Sequence, residues 1–367
     1  MTAAFCPFPL FTISGAARER GVQYGRQARH LIERSLHLYL AAWGAGSDAR
    51  RAAMMRRAVA FGETLREAFP ELYDEIEGIA EGSGFDIAEV IALNARTELL
   101  YGPSHADGCT GAAICPERSD GRMLIGQNWD WRPAARETAI ILRILPDRGP
   151  AMLTFVEAGM LARSGLNESG IGLCGNFLQS DRDFRNSGVP IPVVRRAILS
   201  STTLPEAVGK VLRAARSGSS NHMIAHRDGE AIDLEASPEQ VFPLFPEGGI
   251  LTHSNHFKAP VGELRDVGLP RYPDSLFRDR RVRRHLDEAA GPLTEKDLMA
   301  AFSDHFGLPD AVCRHRAARP DGTEIETVAS VIMDLHACVM WICAGPVCMN
   351  QYVPVALHET RDQIVAA

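Results

Sequence analysis

The spacing of apolar positions changes near residue 109. Upstream, residues 16–43 place Val22, Leu31, Leu36, Leu38 and Leu40 among charges at helical intervals, and residues 50–68 continue the pattern. A second helical block carries one stripe at Leu72, Ile76 and Ile79, a break at Gly82 and Gly84, and another stripe at Ile87, Val90 and Ile91. Downstream, the chain alternates. Residues 110–115 predict a short apolar strand, Asp120-Gly121 a hairpin turn, and residues 122–131 the returning strand. In that strand Met123, Ile125, Gln127, Trp129 and Trp131 share one face, and Leu124, Gly126, Asn128 and Asp130 the other. Asp228-Gly229 and Gly248-Gly249 predict two more hairpins. Stretches 193–199, 205–216, 274–288 and 295–302 predict four helices, and 328–335 with 337–343 a late hairpin. Blocks of strands and helices in this order predict an α+β fold, two sheets between helical layers.

Composition narrows the function classes. The 367 residues are 46% hydrophobic, enough for a large core, and the net charge of −7 argues against a nucleic-acid-binding surface. The sequence carries no run of 18 apolar residues and no charged leader, so a cytoplasmic protein with no membrane partner is expected. Only Lys210, Lys258 and Lys296 are lysines; the other 36 basic residues are arginines. Of eight cysteines none forms a C-x-x-C pair, and Cys338, Cys343 and Cys348 read as reduced core residues rather than metal ligands. His253 and His256, without a third ligand in range, read as packing or hydrogen-bonding residues.

Candidate chemistry sits where the period changes, at Asp107-Gly108-Cys109-Thr110. Glycine before the bond opens backbone geometries closed to other residues, so a Cys109 thiolate can attack the Gly108 carbonyl. Hydrolysis of that thioester would leave Cys109 as a new N-terminus. Its α-amine, with an ordinary pKa of roughly 8, suits it to act as base for its own thiol. Asp130 falls on the strand beside the one Cys109 begins, where a carboxylate can orient that amine. The plainer readings are a core cysteine and a hairpin-edge carboxylate paired with an arginine. Asn94, seven residues after Ile87, reads either as a buried amide near the cleavage loop or as a satisfied structural asparagine.

DGCTGAAIC at 107–115, GQNWDW at 126–131, EAGMLARSGLNESGIG at 157–172 and HSNH at 253–256 together resemble the acyl-coenzyme A:6-aminopenicillanate acyltransferase (isopenicillin N acyltransferase) family. That family belongs to the N-terminal nucleophile hydrolases and is related to the choloylglycine hydrolases. RERGVQYGRQAR at 18–29 and LNARTE at 93–98 resemble its precursor segment. The resemblance implies a four-layer αββα sandwich, cut at Gly108-Cys109 into a helical segment 1–108 and a catalytic domain 109–367 that stay associated. It implies Cys109 as nucleophile, Asp130 near the amine, Asn255 as an oxyanion-hole amide and Arg314, in AVCRH at 311–315, as a late active-site arginine. Asp107, Thr110 and Asn128 are supporting positions in the same motifs. Turn capping is the plainer role for Asn255, and a solvated basic loop for Arg314, which neighbours Arg316 and Arg319. The choloylglycine relatives have an arginine three residues before the strand aspartate; here it is Gln127.

The expected activity is hydrolysis of a small N-acyl amide or peptide through a Cys109 thioester, with no cofactor. Acyl transfer to an amine, with a coenzyme A thioester as co-substrate, is the alternative, and a non-catalytic scaffold a third. The absence of G-x-S-x-G argues against a serine hydrolase of that kind. Trp129, Trp131, Phe155, Met160 and Phe177 are candidates for the acyl pocket by position.

Overall fold

A computed structural model describes residues 5–43, 47–100, 108–318 and 322–358. Strand β1 (Leu10–Gly15) opens it, followed by α1 (Ala17–Gln27), α2 (Arg29–Ala42), α3 (Asp48–Ala68), α4 (Pro70–Ser83), α5 (Ile87–Asn94) and α6 (Arg96–Leu100). The predicted stretch 16–43 is two helices, because Ala28 leaves helical geometry at φ −102° and ψ 12°. Gly82 is not a break but lies inside α4, which ends at Gly84 with φ 77°. The reason is close packing. A Cβ on Gly21 of α1 would lie 2.1 Å from the Glu75 carbonyl oxygen, and one on Gly82 would lie 2.2 Å from that of Val22, so the two backbones touch.

The remaining elements are β2 (Gly108–Ile114), β3 (Leu124–Trp131), β4 (Ala139–Pro146), β5 (Met152–Glu157), β6 (Ser164–Asn167), β7 (Ile171–Cys174), α7 (Ile191–Leu199), α8 (Leu204–Arg213), β8 (Ser220–His226), β9 (Ala231–Ala236), β10 (Val241–Leu244), β11 (Ile250–His253), α9 (Ser275–Glu288), α10 (Glu295–Phe302), β12 (Ala317–Ala318), β13 (Glu324–Asp334), β14 (Val339–Ala344) and β15 (Val353–Ala356). One eight-stranded sheet runs β1-β4-β5-β6-β7-β8-β9-β10; the other runs β11-β2-β3-β13-β14-β15, with β12 paired to β13. Trp129, Ile125, Phe155 and Leu166 belong to the large core between the sheets. Helices α7 and α8 pack on one sheet, α9 and α10 on the other. Leu124, Ile332, Val282 and Phe302 form the smaller core under α9 and α10. The expected α+β sandwich of four layers is therefore what the chain forms.

Two expectations need correction. Residues 5–100 are not purely helical, since β1 pairs in parallel with β4 and forms the edge of the eight-stranded sheet. Gly248-Gly249 makes the expected tight reversal, at φ 57° and 73° with Glu247 and Ile250 paired antiparallel across it, but it does not join two strands of one sheet: β10 before it and β11 after it belong to different sheets. The Asp120-Gly121 turn has φ 53° and 80°, the two positive values of a tight turn, and lies within the connection 115–123 between β2 and β3. Among the described residues no helix is long and apolar enough to cross a membrane.

Candidate active site

Antiparallel register sets Gly108 opposite Asp130, Cys109 opposite Trp129 and Thr110 opposite Asn128. Side chains alternate along each strand, so Cys109 and Trp129 face the large core while Asp130 and Asn128 face the α9–α10 layer. The Cys109 thiol is fully buried, and Arg163 Nη2 lies 3.4 Å from its Sγ. The guanidinium of Arg163 also stacks over Trp129, 4.2 Å from the ring centroid. A positive charge thus stands against the sulfur.

Gly108 is held in strand geometry rather than in a left-handed turn, and its need for glycine is steric. A Cβ there would lie 2.8 Å from Asp130 Oδ2 and 3.1 Å from Arg314 Nε. The carboxylate of Asp130 thus lies directly on the glycine of the candidate cleavage bond. Burial pushes its pKa up; the charges of Arg314 and Arg278 and the Thr327 hydroxyl, which donates to Oδ1 at 2.7 Å, oppose that rise. Arg314 Nε approaches Oδ2 to 3.0 Å, but neither atom completes an aligned hydrogen bond. We read this as a charge contact that leaves Oδ2 able to accept a further donor.

The predicted residues converge through a second arginine that the sequence reading missed. Arg278 of α9, 1% exposed, donates from Nη1 to the Cys109 carbonyl oxygen at 2.7 Å and to Thr110 Oγ1 at 2.9 Å, and from Nη2 to Asn255 Oδ1 at 2.9 Å. Asn255 Oδ1 also accepts from the Cys109 backbone N–H at 2.8 Å, and Asn255 Nδ2 donates to the Phe177 carbonyl oxygen at 2.9 Å. Asp274 joins the two arginines: Oδ2 accepts from Arg278 Nε at 2.8 Å and from Arg314 Nη2. Arg314 is 2% exposed and is not part of a solvated loop. Nothing in the spacing of α9, where Arg278, Arg280, Arg281, Arg283 and Arg284 crowd one helix, marks Arg278 as the inward one. Arg163 lay inside the run EAGMLARSGLNESGIG, but no local signal singles it out.

The other candidates take supporting places. Asn94 Nδ2 donates to the Val90 and Gly159 carbonyls at 3.0 and 2.9 Å, and Oδ1 accepts from Leu161 N–H at 3.0 Å; it is the satisfied structural asparagine, bracing the loop that leads to Arg163. Asn128 Nδ2 donates to the Phe302 and Val312 carbonyls at 2.8 and 3.0 Å, tying down the segment that carries Arg314. Asp107 lies outside the described residues. Gln127 accepts from Ser164 Oγ at 2.7 Å and donates to the Gly175 carbonyl at 2.8 Å, while the guanidinium at the thiol comes from Arg163. A cavity of about 20 Å³, space for roughly one water, is lined by Arg163, Phe177, Met160, Arg96, Glu157 and Arg195 among others. Of the five proposed pocket residues Met160 and Phe177 reach it; Trp129, Trp131 and Phe155 are core residues.

Comparison with known proteins follows the same lines. The model of the family described as acyl-coenzyme A:6-aminopenicillanic acid acyl-transferase matches residues 117–346, a span that includes Asp130, Asn255 and Arg314 and begins just after Cys109. The chain is 27% identical over 325 residues to the 40 kDa form of acyl-coenzyme A:6-aminopenicillanic-acid-acyltransferase from Emericella nidulans, covering 88% of each chain. Its backbone is similar, at TM-score 0.46 and 16% identity, to a mutant conjugated bile acid hydrolase from Clostridium perfringens, covering 68% of this chain and 92% of that one. Against the penicillin V acylase of Agrobacterium tumefaciens the TM-score is 0.44 at 11% identity, covering 68% and 86%.

Proposed function

Because the chain belongs to the acyl-coenzyme A:6-aminopenicillanic acid acyl-transferase family, we propose that it is a self-cleaving cysteine enzyme that transfers the acyl group of a small amide to water through Cys109. One observation carries this reading: the buried Cys109 thiol meets Arg163 at 3.4 Å while its own N–H is held by Asn255 at 2.8 Å and the preceding glycine lies against Asp130. In maturation, Sγ adds to the Gly108 carbonyl carbon, the C–N bond to Cys109 breaks, and the amide nitrogen leaves as an amine. Water then hydrolyses the Gly108 thioester, releasing the carboxylate of residue 108 and the thiol. Departure of that chain end brings the new amine beside Asp130 Oδ2, the oxygen that lacks an aligned partner.

In turnover the amine takes the thiol proton as sulfur attacks the substrate carbonyl, then returns it to the leaving amine. Asn255 keeps Oδ1 on the amine and gives one Nδ2 proton to Phe177; its second Nδ2 proton is the donor for the oxyanion. Water resolves the thioester. Acyl transfer to an amine is a second reading, favoured by the family and by the name of the Emericella nidulans relative.

Intact-mass measurement tests the first step. The purified protein is expected to hold fragments 1–108 and 109–367, and Cys109→Ala a single uncut chain without activity. Cutting of the alanine variant at that bond would overturn the intramolecular route. Product analysis with N-acyl amino acids as donors and a panel of amines as acceptors then separates the readings: free acid supports hydrolysis, new amide supports transfer.

A further inference from the structure

Four side chains that the proposed reaction does not use converge on one point. His305 follows α10, Cys313 and His315 flank Arg314, and Cys348 sits in the short helical turn Val347–Met349. Their four ligand atoms all lie within 4.8 Å of one another. His315 Nε2 is 3.3 Å from His305 Nε2 and 3.2 Å from Cys348 Sγ. These are the edges of a small tetrahedron: with Zn–N near 2.05 Å and Zn–S near 2.3 Å, ligand atoms stand about 3.3 to 3.8 Å apart. Two imidazole nitrogens facing each other at that distance share one proton in a hydrogen bond, a place that a metal cation takes when both nitrogens turn their lone pairs inward. Cys313 is fully buried, backed by Val347, Tyr352 and Cys343, whereas His305 and Cys348 are exposed, so the cluster has a dry floor and an open side for entry.

We propose that His305, Cys313, His315 and Cys348 bind a zinc ion that clamps the segment around Arg314 to the turn after β14. The reading of Cys348 as a reduced core cysteine is thereby replaced: it is exposed and aimed at two histidines. The spacing escaped the sequence search because the ligands come from three separated places, with 32 residues between His315 and Cys348. Both thiols must shed protons on binding, so uptake should weaken in acid.

The full-length protein, purified under reducing conditions without chelator, should retain about one zinc per chain by inductively coupled plasma mass spectrometry. Cobalt(II) titrated into the same protein after chelator dialysis should give visible d–d bands and a thiolate-to-metal charge-transfer band, as for four-coordinate binding by two sulfurs and two nitrogens. Cys348→Ser and His305→Gln, both at exposed positions, should each lower zinc affinity at least about tenfold, while Cys109→Ala keeps full zinc content. Reduced protein that binds neither zinc nor cobalt would overturn the proposal. So would a Cys313–Cys348 disulfide, read by alkylation and mass spectrometry in protein isolated without reductant.

Discussion

Asn255 meets Cys109 through its carboxamide oxygen, and one atom therefore holds both the main-chain nitrogen of the proposed nucleophile and the guanidinium of Arg278. Truncation removes that anchor together with the Nδ2 donor. On the cleaved fraction of Asn255→Ala we expect kcat to fall by about 10² to 10³ with little change in KM, as for loss of one oxyanion donor; steady-state kinetics decide it, and an unchanged kcat removes the residue from the oxyanion hole. Gly108 offers a sharper separation between maturation and turnover. In Gly108→Ala the new methyl would fall 2.8 Å from Asp130 Oδ2, so the carboxylate and Arg314 must shift in the precursor. Self-cleavage should slow markedly, whereas the matured enzyme, whose 109–367 fragment is unchanged, should turn over like the parent. Wild-type processing by the alanine variant would show that the carboxylate's seat on Gly108 is not needed for the cut.

The element that presents Asn255 is the loop after β11, and an ion pair between the two sheets fixes it. His253 Nε2 stands 2.7 Å from Glu235 Oε1 on β9, and Nδ1 stands 2.8 Å from the Ser254 carbonyl oxygen, so both ring nitrogens face acceptors and the imidazole is held as the cation. Burial works against that charge and Lys258 adds to the opposition, but Asp233 and Glu235 outweigh them and raise the His253 pKa; burial pushes Glu235 up, and the hydrogen bond and charge of His253 together with the backbone N–H groups of Lys258 and Ala259 bring it below its ordinary value. A raised histidine stabilises fully below its ordinary value of about 6.5 and loses that contribution as pH climbs through the folded value. A depressed glutamate stabilises above about 4.5 and loses it as pH falls. The melting temperature of the parent minus that of His253→Gln should therefore be largest between these values and shrink in alkali; a difference that goes on growing as pH rises above about 6.5 would refute the buried imidazolium. The pair also shows where sequence reading stops. Helix α10 fell on its predicted residues and α9 within one residue of them, because amphipathic spacing and local caps are short-range, and Cys109, Asp130 and Asn255 were legible from motifs. Glu235, Arg278 and Asp274 were not, since what joins them to the site is pairing across elements between 18 and 169 positions apart.

At the scale of the whole molecule the proposed cleavage bond would divide the chain without dividing the fold. Residues before Gly108 supply β1, the edge of the eight-stranded sheet, and helices that reach into the larger fragment. Tyr24 Oη accepts from Gly159 N–H at 2.7 Å, and Trp131 Nε1 donates to Tyr39 Oη at 2.9 Å. A further tie is charged. Glu75 of α4, fully buried, takes Arg20 of α1 at 2.8 Å and Arg196 of α7 at 2.9 Å, so one carboxylate joins two elements of the smaller fragment to one of the larger. Desolvating three ions is costly, and the triad holds only while its charges match; removal of the shared carboxylate strands two guanidinium groups in the interior, a loss of roughly 3 to 5 kcal/mol. The parent protein, once cut, should elute from size exclusion as one species containing both fragments, and separate only in denaturant. Glu75→Gln should mature, then melt at clearly lower temperature and release the smaller fragment in mild denaturant, because the cut chain no longer has a covalent link to offset the loss. Parent fragments that part in native buffer, or a Glu75→Gln protein as stable as the parent, would show that the sheet edge and aromatic contacts, rather than the buried charges, keep the halves together.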